Sequence, residues 1–171
     1  MLKYLISFCS IAILAIIISG CSKKSEQELW TTAQKNVQDS LYKDAVNNFT
    51  MLVKDYPQSQ NAPKALFEVA KMYQGKVIKD VNPDESMKHG ISFYRRVYTE
   101  YPKSEEAPKS LFMIGFIQSN ELRQFDSATV SYKLFISKYP ENEMAASAQA
   151  ELDNMGLTPQ EIIKKNQEAK K

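Results

Sequence analysis

Small, aromatic and apolar positions recur along the chain at helical spacing, three times in the same register. A small residue, an aromatic four positions on, an apolar residue three further and then a proline gives Ala45–Phe49–Leu52–Pro57, Gly90–Tyr94–Val97–Pro102 and Ala128–Tyr132–Phe135–Pro140. Positions i, i+4 and i+7 share one face of an α-helix, so each copy predicts an amphipathic helix. Each ends at a Tyr-Pro dipeptide (Tyr56-Pro57, Tyr101-Pro102, Tyr139-Pro140). Proline has no N–H to donate and disfavours helix in the residue before it. A second set of helices precedes these: Leu29-x2-Thr32-Ala33-x2-Asn36, Leu66-x2-Val69-Ala70-x2-Tyr73 and Leu111-x2-Ile114-Gly115-x2-Gln118. Ala33, Ala70 and Gly115 on the first helices, and Ala45, Gly90 and Ala128 on the second, are small where paired helices must approach. Bulk there would overpack the interface.

This pattern resembles the tetratricopeptide repeat, a helix pair with W-x2-L-G-x2-Y…A-x3-F…P as its signature. The resemblance implies an all-α, right-handed solenoid of about three helix pairs, over 29–57, 62–102 and 107–140. Residues 141–171 then supply C-terminal capping helices and a basic tail, because the last repeat of a solenoid needs its open face covered. Met144–Met155 predicts one helix. Gly156-Leu157 is a stop, and Thr158-Pro159-Gln160-Glu161 is a capping box opening a last helix to Gln167.

The copies differ in length. The interval Pro57–Pro102 exceeds Pro102–Pro140, and the excess lies in Gly75–Lys88, between the helices of the second repeat. Within it, Asn82-Pro83-Asp84-Glu85 predicts an N-cap followed by Pro at the first helical position. Asp80-x-Asn82-x-Asp84 has the alternation of a calcium loop, but Glu85 stands where that loop needs glycine and Ile91 where it needs glutamate.

The N-terminus is of another kind. After Met1-Leu2-Lys3-Tyr4 comes an uncharged apolar run, Leu5–Ile18, followed by Ser19-Gly20-Cys21. A membrane-spanning helix needs about 20 apolar residues, so the run suits a signal sequence better than a permanent span. Ile18-Ser19-Gly20-Cys21 resembles a bacterial lipobox. The resemblance implies a cleaved signal peptide over 1–20, and a diacylglycerol and an acyl chain (palmitate) on Cys21. Ser22 after the cysteine points to the outer membrane by resemblance to the enterobacterial sorting rule, with the protein facing the periplasm. Residues 21–28 form a lipidated polar tether running into a helix.

Composition narrows the chemistry. The 22 basic and 20 acidic residues balance too closely for a nucleic-acid binder. A single histidine, His89, excludes paired-histidine metal sites, and two cysteines (Cys9 in the signal, Cys21 under lipid) provide neither a disulfide scaffold nor a zinc site. Acidic pairs such as Asp84-Glu85 and Glu105-Glu106 stand at helix starts, where they complement the macrodipole. The sequence contains no catalytic set, no metal site, no phosphate loop and no small-molecule site. The expected reading is non-enzymatic, with no cofactor beyond the covalent lipid.

In tetratricopeptide proteins the first helices line a groove. Transferring its positions places Trp30, Phe67 and Phe112 in an aromatic ladder with Phe116 beside it. Gln34, Lys64, Lys71 and Lys109 flank the ladder. Such a surface suits a protein segment with apolar anchors and acidic flanks. A lipobox followed by Tyr56-Pro57-Gln58-Ser59-Gln60-Asn61-Ala62-Pro63, and by Tyr101-Pro102-Lys103-Ser104-Glu105-Glu106-Ala107-Pro108, resembles two envelope families. One is the BamD type of the β-barrel assembly machinery; the other is the Tol-Pal coordinator of the YbgF/CpoB type. Both imply a protein–protein interaction scaffold with envelope partners and membrane attachment through lipid. The lipid cysteine favours the BamD type. A cell-wall hydrolase is the remaining alternative, and the chain lacks residues for it.

Overall fold

A computed structural model describes residues 23–169; the expected signal peptide over 1–20 and the expected lipidation site, Cys21, lie outside the described residues. The regular elements among those residues are all helical: α1 (Glu26–Gln38), α2 (Tyr42–Asp55), α3 (Asn61–Gln74), α4 (Pro83–Glu100), α5 (Glu106–Phe116), α6 (Phe125–Lys138), α7 (Ala145–Asn154) and α8 (Pro159–Glu168). Consecutive helices pack as hairpins, α1 with α2, α3 with α4 and α5 with α6, and α3 also packs directly on α5. The tetratricopeptide architecture expected from the repeat is the one observed.

The repeated residues form the core. Ala33, Ala45, Ala70 and Ala128 are fully buried, as are Leu29, Leu66 and Leu111, together with Phe49, Tyr94 and Tyr132. Gly90 lets α4 settle onto the α3 backbone: a Cβ there would stand 3.3 Å from the Ala70 carbonyl oxygen. Pro57, Pro102 and Pro140 are exposed and act by ending α2, α4 and α6 rather than by packing.

The turns from first to second helix share one device. Ser40, Lys76 and Arg123, each just past a first helix, have φ of 60°, 55° and 52°. In the first hairpin the Ser40 N–H donates to the Val37 carbonyl (3.1 Å) and the Leu41 N–H to that of Asn36 (2.8 Å), a Schellman stop. The Lys76 and Val77 N–H groups repeat it on the Tyr73 and Met72 carbonyls. The third repeat departs from this. Its spacing from Leu111 to Ala128 is one residue longer than that from Leu29 to Ala45. The extra residue is accommodated by a π-helical turn, Ile117–Glu121, at the end of α5. The turn carries Gln118 and Ser119 inward, and the Ser131 hydroxyl donates to Gln118 Oε1 at 2.6 Å. Spacing alone does not reveal this turn, because Gln118 aligns with Tyr73 as if no residue were inserted.

The insertion after α3 is tied down. Ile78 is buried in the core of the first two hairpins, with Val77 and Val81 packed beside it. Asn82 caps α4 as its sequence implied, accepting the Glu85 N–H at 2.9 Å. Asp80 pairs with Lys43 across the edge. The calcium-like alternation is thus occupied by a cap and an ion pair.

At the C-terminus only α7 covers the stack, through buried Ala148. The capping box of α8 forms as expected, and Gly156 turns the chain at φ 78°. Yet α8 buries none of its residues, and Ile163 and Leu157 are exposed. Its tie to α7 is polar: the Lys165 ammonium donates to the Asp153 carbonyl at 2.6 Å.

Candidate protein-binding groove

The groove residues all come from the first helices, α1, α3 and α5. The direct packing of α3 on α5, without an equal contact between α4 and α6, puts the first helices on the inner side of the stack in repeats two and three. Each ladder aromatic is half-buried and meets a buried aromatic of its own repeat edge to face. Trp30 lies 5.4 Å from Phe49 at 63°, Phe67 5.3 Å from Tyr94 at 65°, and Phe112 5.5 Å from Tyr132 at 65°. Such pairs add about 0.5–1.5 kcal/mol beyond area burial. The three rings therefore belong partly to the core, clamping first helix to second, and present their remaining faces outward. Phe116 differs: it is half-buried but belongs to none of the three core clusters, which leaves it the freest aromatic on this surface.

The charges divide similarly. Lys64 and Lys109 are exposed and form no ion pair among the described residues, and Gln34 is exposed. The Lys71 ammonium meets Glu68 at 2.7 Å and sits 5.8 Å above the Phe67 ring. Its charge is compensated locally, so the basic character of the surface rests on Lys64 and Lys109.

Behind the ladder, the second-helix phenols are held neutral. Burial raises the Tyr94 hydroxyl well above its ordinary range, and it donates to Gln74 Oε1 at 2.8 Å. Burial likewise pushes the Tyr132 phenol up to about 12 against the opposing pull of the nearby Ser119 hydroxyl, and its buried oxygen makes no hydrogen bond of normal geometry. His89 is exposed on α4, its ring 5.0 Å from that of Tyr73. Among the described residues, no three His, Cys, Asp or Glu side chains converge on a point where a metal ion could be held. No described helix is long and apolar enough to cross a membrane.

A family model described as outer membrane lipoprotein, YfiO, matches residues 22–158, which takes in every hairpin and α7. No individual curated protein matches the chain. The match begins one residue after the lipobox cysteine and ends where α8 begins, so it covers the whole packed stack. The chain belongs to the YfiO family of outer-membrane lipoproteins, the BamD type.

Proposed function

We propose that this protein is a non-enzymatic scaffold, anchored by lipid on Cys21 to the periplasmic face of the outer membrane, that binds segments of envelope proteins during outer-membrane protein assembly. The observation that carries this reading is the surface of α1, α3 and α5, which offers aromatic faces and two uncompensated lysines within a family of outer-membrane lipoproteins. Half-buried rings on a rigid helical frame bind with little loss of side-chain freedom, and lysines beside them steer acidic segments. The partners on this reading are components or clients of the β-barrel assembly machinery. A Tol-Pal role is the lesser reading, since the BamD type is the family matched.

Cys21→Ala tests the anchor. The variant should accumulate as uncleaved or mislocalised precursor, and depletion of the wild-type protein should lower the level of folded outer-membrane barrels. A lipid-labelled, shortened Cys21→Ala species in the outer-membrane fraction would contradict the anchor. Unchanged barrel levels on depletion would contradict the assembly role.

A further inference from the structure

We propose that the solenoid stands on the membrane by the edge that carries its Tyr-Pro turns, held there by an ordered strut rather than hanging from a flexible leash. This rests on the lipidation of Cys21.

The strut is short and bonded along its length. Lys23 is two residues from Cys21, a reach of about 7 Å when extended. The Lys23 ammonium donates to the Asp55 carbonyl at 3.3 Å, lies 3.7 Å from the Asp55 carboxylate and sits 4.8 Å over the Tyr56 ring. The Tyr56 hydroxyl donates to the Lys24 carbonyl at 2.8 Å. Ser25 then caps α1 in a reciprocal box with Glu28. Glu26 extends the tie to the next helix, accepting from Ser59 Oγ at 2.6 Å and Asn61 Nδ2 at 2.9 Å. The chain therefore leaves the domain fixed against the Tyr56-Pro57 turn.

That turn lies on one of two distinct edges. Pro57, Gln58 and Ser59 share a shallow cleft with Tyr101, Pro102 and Lys103. Lys138, beside the third turn, sits 5.5 Å over Tyr98, near the second. The other turns gather at the opposite edge: Leu41 and Lys43 adjoin Val77 and Asp80, and Lys76 pairs with Glu121 at 3.2 Å. Because the chain can carry the anchor at most about 7 Å from Lys23, the Tyr-Pro edge faces the headgroups and the helices stand on end over the bilayer.

The test uses the full lipidated chain purified from membranes. Its only mature cysteine carries lipid, so single introduced cysteines take a fluorophore. Gln58→Cys and Lys103→Cys report the Tyr-Pro edge; Asp39→Cys and Lys79→Cys report the opposite one. In phosphatidylethanolamine–phosphatidylglycerol vesicles carrying a headgroup quencher, the first pair should lose more fluorescence than the second. The double variant Lys23→Ala/Tyr56→Phe, checked for unchanged helicity, should lose that contrast. A lipidated chain quenched equally from both edges, or more from the second, overturns the orientation alone. A chain that carries no lipid by mass overturns the anchor reading and this one with it.

Discussion

Gly115 and Tyr132 meet across the third hairpin so closely that a Cβ on Gly115 would stand 2.8 Å from the Tyr132 ring. The ring is fully buried and cannot withdraw toward solvent. Gly115→Ala should therefore destabilise the protein by about 1–3 kcal/mol through overpacking. Lys133→Ala, on the exposed face of α6, should stay within about 0.5 kcal/mol of wild type. Equal melting temperatures for the two variants would contradict the helix-pair register.

The other end of Tyr132 predicts the opposite sign. Its hydroxyl is buried beside Ser119 without a hydrogen bond of normal geometry, so Tyr132→Phe should be neutral or stabilising by up to about 1 kcal/mol. The phenol is held protonated, with its ionisation pushed up to about 12 from the ordinary 10.0. Stability from this group is fully present below the unfolded value and is lost as pH climbs from there toward the folded one. Denaturant titrations across that range should show a shallower alkaline loss for the phenylalanine variant.

Ser40 occupies the left-handed region at φ 60° with its backbone committed to the α1 stop. Side-chain residues adopt that conformation at a cost of roughly 1–2 kcal/mol, which glycine avoids. Ser40→Gly should raise stability by about 1 kcal/mol or less, since glycine also loosens the unfolded chain. A lower melting temperature would show that the serine side chain contributes something its exposure does not suggest.

Charge reversal should sort the groove lysines. Lys64→Glu and Lys109→Glu remove uncompensated charge and should slow association with an acidic partner at low salt, the effect fading at high salt. Lys71 is paired with Glu68, so removing both charges with Glu68→Gln/Lys71→Gln should change the steering little. Association rates measured by stopped flow at two ionic strengths distinguish the three.

Much of this was legible in the chain. The column Ala45, Gly90, Ala128 and the column Phe49, Tyr94, Tyr132 mark buried positions because sterics and burial both act there, and the structure buries all six. The Asn82 and Thr158 caps follow from local chemistry. Three features needed the third dimension. The edge-to-face clamps join columns from different helices, although an aromatic directly after Leu29, Leu66 and Leu111, beside an aromatic in every second helix, hints at them. The π-turn hides in a one-residue difference between two spacings. Ile78 reaches the core from a segment whose polar flanks resemble an ordinary surface loop. Amphipathicity in α8 did not guarantee full burial: Ile162 only half-buries over a cleft lined by Phe125, Ala150 and Met155, and Ile163 stays exposed.

Photocrosslinking in cells from position 116 tests most directly whether the groove captures assembly proteins. Phe116 is the groove aromatic least committed to the core, so a photoreactive residue there samples the surface without unmaking a hairpin. Crosslinks are expected from 116, 64 and 109 to components or clients of the β-barrel assembly machinery. Phe116→Ala should weaken that capture by about 1–3 kcal/mol with the helical spectrum unchanged. Crosslinks confined to second-helix positions or to the 75–82 segment, with none from 116, would contradict capture by the groove.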